Sequence, residues 1–142
     1  MKKRVLAFGT FDLLHAGHLH YLHSAKKLGS ELVVVIARDE TAGKLKGGKP
    51  INDEKTRQAI VGSLRFVDKA VLGLNYFRDK FEIVRKLKPD VIAVGYDQVR
   101  AFNEFKKLVK EHGLKAKVVK IPAFNSKKFK SSKLKRKLLE KI

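Results

Sequence analysis

No cysteine occurs among the 142 residues, which excludes a disulfide framework, a thiol nucleophile and a cysteine-based zinc knot. No apolar run approaches the roughly 18–20 residues that a membrane span needs. The opening Met1-Lys2-Lys3-Arg4-Val5 passes straight into a short apolar stretch. The expectation is therefore a cytoplasmic protein of a reducing compartment, with no membrane partner. Acidic residues are scarce, 14 Asp and Glu against 33 Lys and Arg, for a net charge of +19. Also missing are the G-x-G-x-x-G of dinucleotide-binding folds, the G-x-x-x-x-G-K-[ST] phosphate loop, and any zinc-finger or RNP-type motif.

What is present has globular composition, 44% apolar and 8% aromatic. A chain of this length forms one domain, expected over residues 1–142, and removes roughly 68–70% of its unfolded surface from water. The positive field attracts polyanions without choosing among them. It is uneven: residues 106–142 hold 14 basic side chains against Glu111 and Glu140. A solvated lysine-rich surface accounts for most of these. A nucleic-acid-binding module is the weaker reading, because aromatics are not interleaved through the basic segment as stacking platforms; no specific nucleic-acid partner is expected.

Strand-like apolar runs alternate with helix-period segments. Arg4–Phe8, Leu32–Ala37, Val67–Leu72, Val91–Gly95 and Lys117–Ile121 read as strands. Gly17–Leu28 reads as a helix with Leu19, Leu22 and Ala25 on one face, stopped at Gly29. Asn52-Asp53-Glu54 opens a helix to about Ser63. Phe77–Leu87, ended before Pro89, and Ala101–His112, closed by Gly113, are the next two. Ser131 or Ser132 caps a final basic helix. Between Arg38 and Pro50, the glycines Gly43, Gly47 and Gly48 predict a loop. The alternation implies right-handed crossovers and an α/β, Rossmann-like parallel five-stranded sheet with helices on both faces. Ligands of such sheets bind beyond the carboxyl ends of the strands, which points to the loops after Phe8, Ala37, Gly95 and Ile121.

The first of these loops reads Gly9-Thr10-Phe11-Asp12-Leu13-Leu14-His15-Ala16-Gly17-His18. Two histidines three apart, with Gly17 between them, sit in the first turn of a helix, where both rings can point one way. Glycine admits a bulky anion to the backbone, and the helix start supplies N–H donors and partial positive charge. Zinc would need three or four ligands, and no such set accompanies His15 and His18.

GTFDLLHAGH resembles the signature of the HxGH nucleotidyltransferases, and within them the cytidylyltransferase-like branch. Arg65-Phe66-Val67-Asp68 and Ser131-Ser132-Lys133 match later motifs of that branch, although Lys130 stands where its pattern has serine. ARDETAGKLKGGKPI (37–51), VDKAVLG (67–73) and LKPDVIAVGYDQ (87–98) are similar to the archaeal-type FAD synthases. The likeness is dense over residues 1–98 and thin beyond.

That resemblance implies the HxGH nucleotidyltransferase fold, often dimeric, and transfer of AMP from ATP to FMN, giving FAD and pyrophosphate. A cytidylyltransferase acting on glycerol 3-phosphate or another alcohol phosphate is the alternative. The reaction implies a divalent cation such as Mg²⁺ carried with ATP. His15 and His18 would donate to the triphosphate, and Lys44 and Lys46, on the glycine-rich loop, would follow the phosphates or remain solvated charges. Thr10, Phe11, Ala16 and Gly17 would line the nucleotide phosphates. Asp97 would accept from a ribose or a base amine. Arg57 is a candidate substrate clamp or a surface salt bridge. Ser131 and Ser132 would meet the β and γ phosphates, and Phe124 would stack on a base or flavin ring or serve the core.

Overall fold

The computed structural model describes residues 2–46, 48–74 and 80–123, together with 136 and 139. Along the chain run β1 (Arg4–Gly9), α1 (Ala16–Lys26), β2 (Glu31–Ile36), α2 (Asp39–Lys46), α3 (Glu54–Gly62), β3 (Lys69–Leu72), α4 (Lys80–Leu87), β4 (Val91–Gly95), α5 (Val99–Glu111) and β5 (Lys117–Ile121). The strands form one parallel sheet in the order β3-β2-β1-β4-β5. The expected α/β sheet of five parallel strands is what forms.

Period-two alternation sorts the apolar strand residues onto two faces. Val5, Ala7, Val34 and Ile36 meet Leu22 and Ala25 of α1 and Val61 of α3. Leu6, Val33, Val35, Ile92 and Val94 meet Ile83 and Val84 of α4 and Phe105 of α5. Each fully buried side chain of this kind contributes about 1.5–3 kcal/mol, so the uninterrupted run in β2 is a strand because both its faces are covered. Leu19, expected on the buried face of α1, is instead 39% exposed. α5 begins at Val99 and is followed by Gly113 at φ 59°, a left-handed turn that glycine adopts without strain.

The loop expected over 38–50 is corrected. Residues 39–46 form α2. Asp39 and Glu40 suit the positive end of the helix, and Gly48 falls beyond it. One internal glycine, Gly43, costs about 1 kcal/mol relative to alanine. Burial of Ala42 and the bond from the Asp39 N–H to Glu54 Oε1 (2.9 Å) oppose that cost. The start of the helix expected from Phe77, and the whole basic helix expected from Ser131, lie outside the described residues.

Arg65-Phe66-Val67-Asp68 serves the fold. Val67 is buried, and Phe66 packs edge-on against His23 of α1 at 5.4 Å. Asp68 accepts from the Leu32 N–H at 2.7 Å and from Lys26 Nζ at 2.6 Å, latching β2 to α1. The Lys26 bond, then the Leu32 amide, hold its carboxyl below the usual carboxylate range. A carboxyl lowered on folding stabilises above its unfolded pKa and loses that contribution as pH falls through the folded value. Asp68→Asn should therefore lower the melting temperature at neutral pH and flatten its decline below about pH 4. Thermal melts across pH 2–7 check this; an acid limb as steep as that of the wild type would contradict the latch.

Candidate active site

The sheet splits at the carboxyl ends of two neighbouring strands. β1 pairs with β2 as far as Gly9↔Ile36, and β4 with β5 as far as Gly95↔Ile121. Between β1 and β4 the pairing runs only from Val5↔Val91 to Ala7↔Ala93. The chain winds outward from β1 to β3 on one side and from β4 to β5 on the other, so the strand order reverses at this split. Its walls are Gly9-Thr10 and Gly95-Tyr96-Asp97.

His15 is the N-cap of α1, and its Nδ1 accepts from the Gly17 N–H at 3.1 Å. A ring nitrogen thus does the work usually given to a Ser, Thr or Asp oxygen. With Nδ1 accepting, the proton of a neutral His15 ring resides on Nε2. The rings of His15 and His18 stack with centroids 3.8 Å apart at 25°, and both residues are half-buried. The two imidazoles are therefore adjacent and within a ligand's reach. Of the helix-start amides, that of Gly17 is engaged by His15, which leaves a smaller anion cradle than the spacing alone implies.

Phe11 seats this pair. Its ring meets His18 edge-on at 5.3 Å and is itself 4% exposed. Its backbone is left-handed at φ 55°. A Cβ on Gly9 would lie 2.6 Å from that ring, so glycine at position 9 is required by the seat. Phe11, expected to line the nucleotide phosphates, does not do so with its ring, which belongs to the core.

Arg57 is corrected too, both as a surface salt bridge and as a clamp on substrate. It has no exposed surface. Nε donates to the Asn52 carbonyl (3.0 Å), Nη1 to the Thr10 carbonyl (2.8 Å) and Nη2 to Asp39 Oδ1 (2.7 Å). Beside it, buried Asp12 accepts from the N–H groups of Ile51 and Asn52, each at 2.9 Å, while Asn52 Nδ2 returns a bond to the Asp12 carbonyl. The turn after β1 is thus fastened to the starts of α2 and α3. Asp12 was not among the residues singled out by sequence; its place directly after Gly9-Thr10-Phe11 was the available signal.

Lys44 stands on α2, strongly exposed, 3.4 Å from Glu40, and borders a groove of about 540 Å³ with Asp39, Glu40, Gly43, Lys49 and Glu54. The backbone of Lys46 closes the same helix; its side chain lies outside the described part. Glu54 accepts from the Asp39 amide and from Arg38 Nη1 (2.8 Å), and these two partners hold its carboxyl below the usual range. Asp97 is exposed beyond the end of β4, across the split from Thr10. Thr10, Ala16 and Gly17 are half-buried. His20 Nε2 lies 3.2 Å from the Pro122 carbonyl, tying the end of β5 to α1. Phe124, Ser131 and Ser132 lie outside the described residues.

Known proteins resemble this chain in sequence and in fold. A family described as cytidylyltransferase-like matches residues 6–137. The FAD synthase of Thermoplasma volcanium is 43% identical over 139 residues, spanning 98% of this chain and 96% of the relative. That of Thermococcus kodakarensis is 41% identical over 140 residues, spanning 98% and 93%. Among solved structures, a lipopolysaccharide core biosynthesis protein from Thermoplasma volcanium superposes with TM-score 0.80 at 44% identity, over 88% of this chain and all of that one. A pantoate–β-alanine ligase from Francisella tularensis shares the fold at TM-score 0.67 and 15% identity, over 95% of this chain and 65% of its own.

Removing the guanidinium strands two carbonyls and a carboxylate around a buried space. Arg57→Met should cost on the order of 3 kcal/mol in urea unfolding, and Arg57→Lys should recover little, because an ammonium cannot reproduce the three-way fork. A loss below about 0.5 kcal/mol, the range of an ordinary surface substitution, would show that the network does not bind the loops together.

Proposed function

The chain belongs to the cytidylyltransferase-like family, and from that premise we propose that it transfers the adenylyl group of ATP to the phosphate of FMN. An FMN phosphate oxygen attacks the α-phosphorus, the bond from that phosphorus to the bridging oxygen breaks, and pyrophosphate departs as FAD forms. Such transfer asks the protein for positioning and charge stabilisation rather than covalent chemistry. The observation that carries the reading is the stacked His15–His18 pair beside the split in the sheet, in a chain 40–43% identical to FAD synthases over nearly its whole length.

In this reading the Nε2–H of His15 donates to the triphosphate, and His18, seated on Phe11, donates to charge developing on the bridging oxygen. Thr10, Ala16 and Gly17 supply the close backbone surface. Asp97 accepts from the ribose or the base amine. Lys44 and Lys46 approach the phosphates from α2, and Ser131, Ser132 and Phe124 complete the nucleotide contacts. A divalent cation accompanies the triphosphate. Among the described residues no group of three or more His, Asp or Glu gathers to hold one, so the phosphates and water would be its main ligands. No helix among the described residues is long and apolar enough to cross a membrane. A cytoplasmic homodimer completes the proposal.

The purified protein with Mg²⁺, ATP and FMN should release pyrophosphate and yield FAD by chromatography. Turnover of CTP with glycerol 3-phosphate, and none with FMN, would replace this reading by the cytidylyltransferase alternative. His15→Ala or His18→Ala should lower kcat by on the order of 10²-fold with an unchanged circular-dichroism spectrum, since both act chiefly in the transition state. A His18→Ala protein that is unfolded would assign that ring a structural role.

A further inference from the structure

The point where β1 and β4 part is occupied by a side chain that the mechanism above does not use. Tyr21 lies on α1, three residues beyond His18. Its hydroxyl accepts from the Phe8 N–H at 3.2 Å and donates to the Ala93 carbonyl at 2.7 Å. Phe8 follows the last β1 residue paired with β4, and Ala93 is the last β4 residue paired with β1. One hydroxyl therefore links the two strands at the end of their ladder.

We propose that Tyr21 is the positioning residue that sets the opening of the nucleotide crevice, its hydroxyl taking the place of strand pairing where β1 and β4 separate. The inference rests on the adenylyltransferase reading, because it presumes that a nucleoside triphosphate enters this split.

Parting two parallel strands inside a protein leaves main-chain N–H and C=O groups without their ladder partners, and each costs about 1–3 kcal/mol if buried and unmet. A phenol can accept and donate at once, so it satisfies one group on each strand. Burial pushes the Tyr21 phenol well above its usual range, and the negative charge of Asp97 adds to the rise, so it keeps its proton and its donor role. The Tyr21 ring lies parallel to Phe11 at 6.5 Å, and Phe11 in turn supports His18. The same side chain thus sets the width of the split and braces the seat of the imidazoles. Phenylalanine at this place keeps the ring and its packing but lacks the bridge. The Phe8 N–H and Ala93 carbonyl are then free to pair directly, which extends the ladder into the space the nucleotide needs.

The test compares wild type and Tyr21→Phe, using the α,β-methylene analogue of ATP as the probe in calorimetry and FMN with ATP in steady-state assays. The expected result is an analogue Kd, and a KM for ATP, raised about tenfold, the equivalent of one net hydrogen bond, with the KM for FMN unchanged. A purely structural tyrosine would lower the melting temperature and leave both nucleotide constants as they were, which overturns the proposal. An equal rise for ATP and FMN overturns it as well, since it reports general loosening. In the wild-type protein, adding the analogue should shift the NMR resonances of the Phe8 amide and the Tyr21 Cζ; if neither moves, the proposal fails whether or not the variant folds. Wild type that binds no analogue removes the adenylyltransferase reading and this inference with it. Wild type that binds, beside a variant that binds equally, removes this inference alone.

Discussion

A guanidinium with no exposed surface must find its hydrogen-bond partners inside the protein, and Arg57 finds them at three places far apart in sequence: Thr10, Asp39 and Asn52. Leaving one of these groups unmet in the interior would cost several times the gain from a surface contact, so the turn after β1 and the starts of α2 and α3 hold together as a unit. Glu54 extends the unit through Arg38, whose Nε reaches the Gly73 carbonyl after β3. Three loops at the carboxyl edge of the sheet are thereby joined behind one wall of the split. The other wall, at the ends of β4 and β5, is joined to α1 through Tyr21 and His20. The histidine-bearing helix is the element that both walls share.

Charge and geometry play separate parts in this arrangement. A net charge of +19 draws in anions of any kind, and it does so from any direction. Discrimination between ground state and transition state needs donors fixed to within a fraction of an ångström. In the proposed reaction the stacked imidazoles would supply that, and they are held by capping, by the Phe11 ring and by the turn that Arg57 and Asp12 fasten. On the proposed reading most lysines therefore serve encounter and solubility, while the chemistry rests on a handful of half-buried groups.

The parallel sheet, its five strands to within about two residues at each end and the histidine pair were legible in the sequence because each has a local cause. Unbroken β-branched runs mark doubly covered strands, and two histidines three apart in a first helical turn are placed to stack. α2 was not legible, because the glycines at 43, 47 and 48 outweigh its weak helical period, and its stability comes from Ala42 packing and from Glu54, fifteen residues beyond Asp39. Arg57 was read as a substrate clamp or a surface salt bridge for the same reason: nothing local reports that Thr10, 47 residues earlier, will present its carbonyl to it. Tyr21 was hidden by its neighbours, lying among the histidines of a helix whose pattern shows which face is apolar but not which hydroxyl reaches between strands.

Strain and support meet at Phe11. A left-handed backbone costs a side-chain-bearing residue about 1–2 kcal/mol, and the sequence could avoid that with glycine. Glycine there would remove the ring on which His18 and Tyr21 both rest. Burying an aromatic ring returns about 1.5–3 kcal/mol, enough to offset the backbone, but only if position 9 carries no Cβ to displace it. The glycine of Gly9-Thr10-Phe11 is thus demanded by a ring two residues later rather than by its own conformation, and that ring is demanded by an imidazole seven residues further on. Each residue of the motif is constrained by the next, which is why its effect on chemistry belongs to the stretch as a whole.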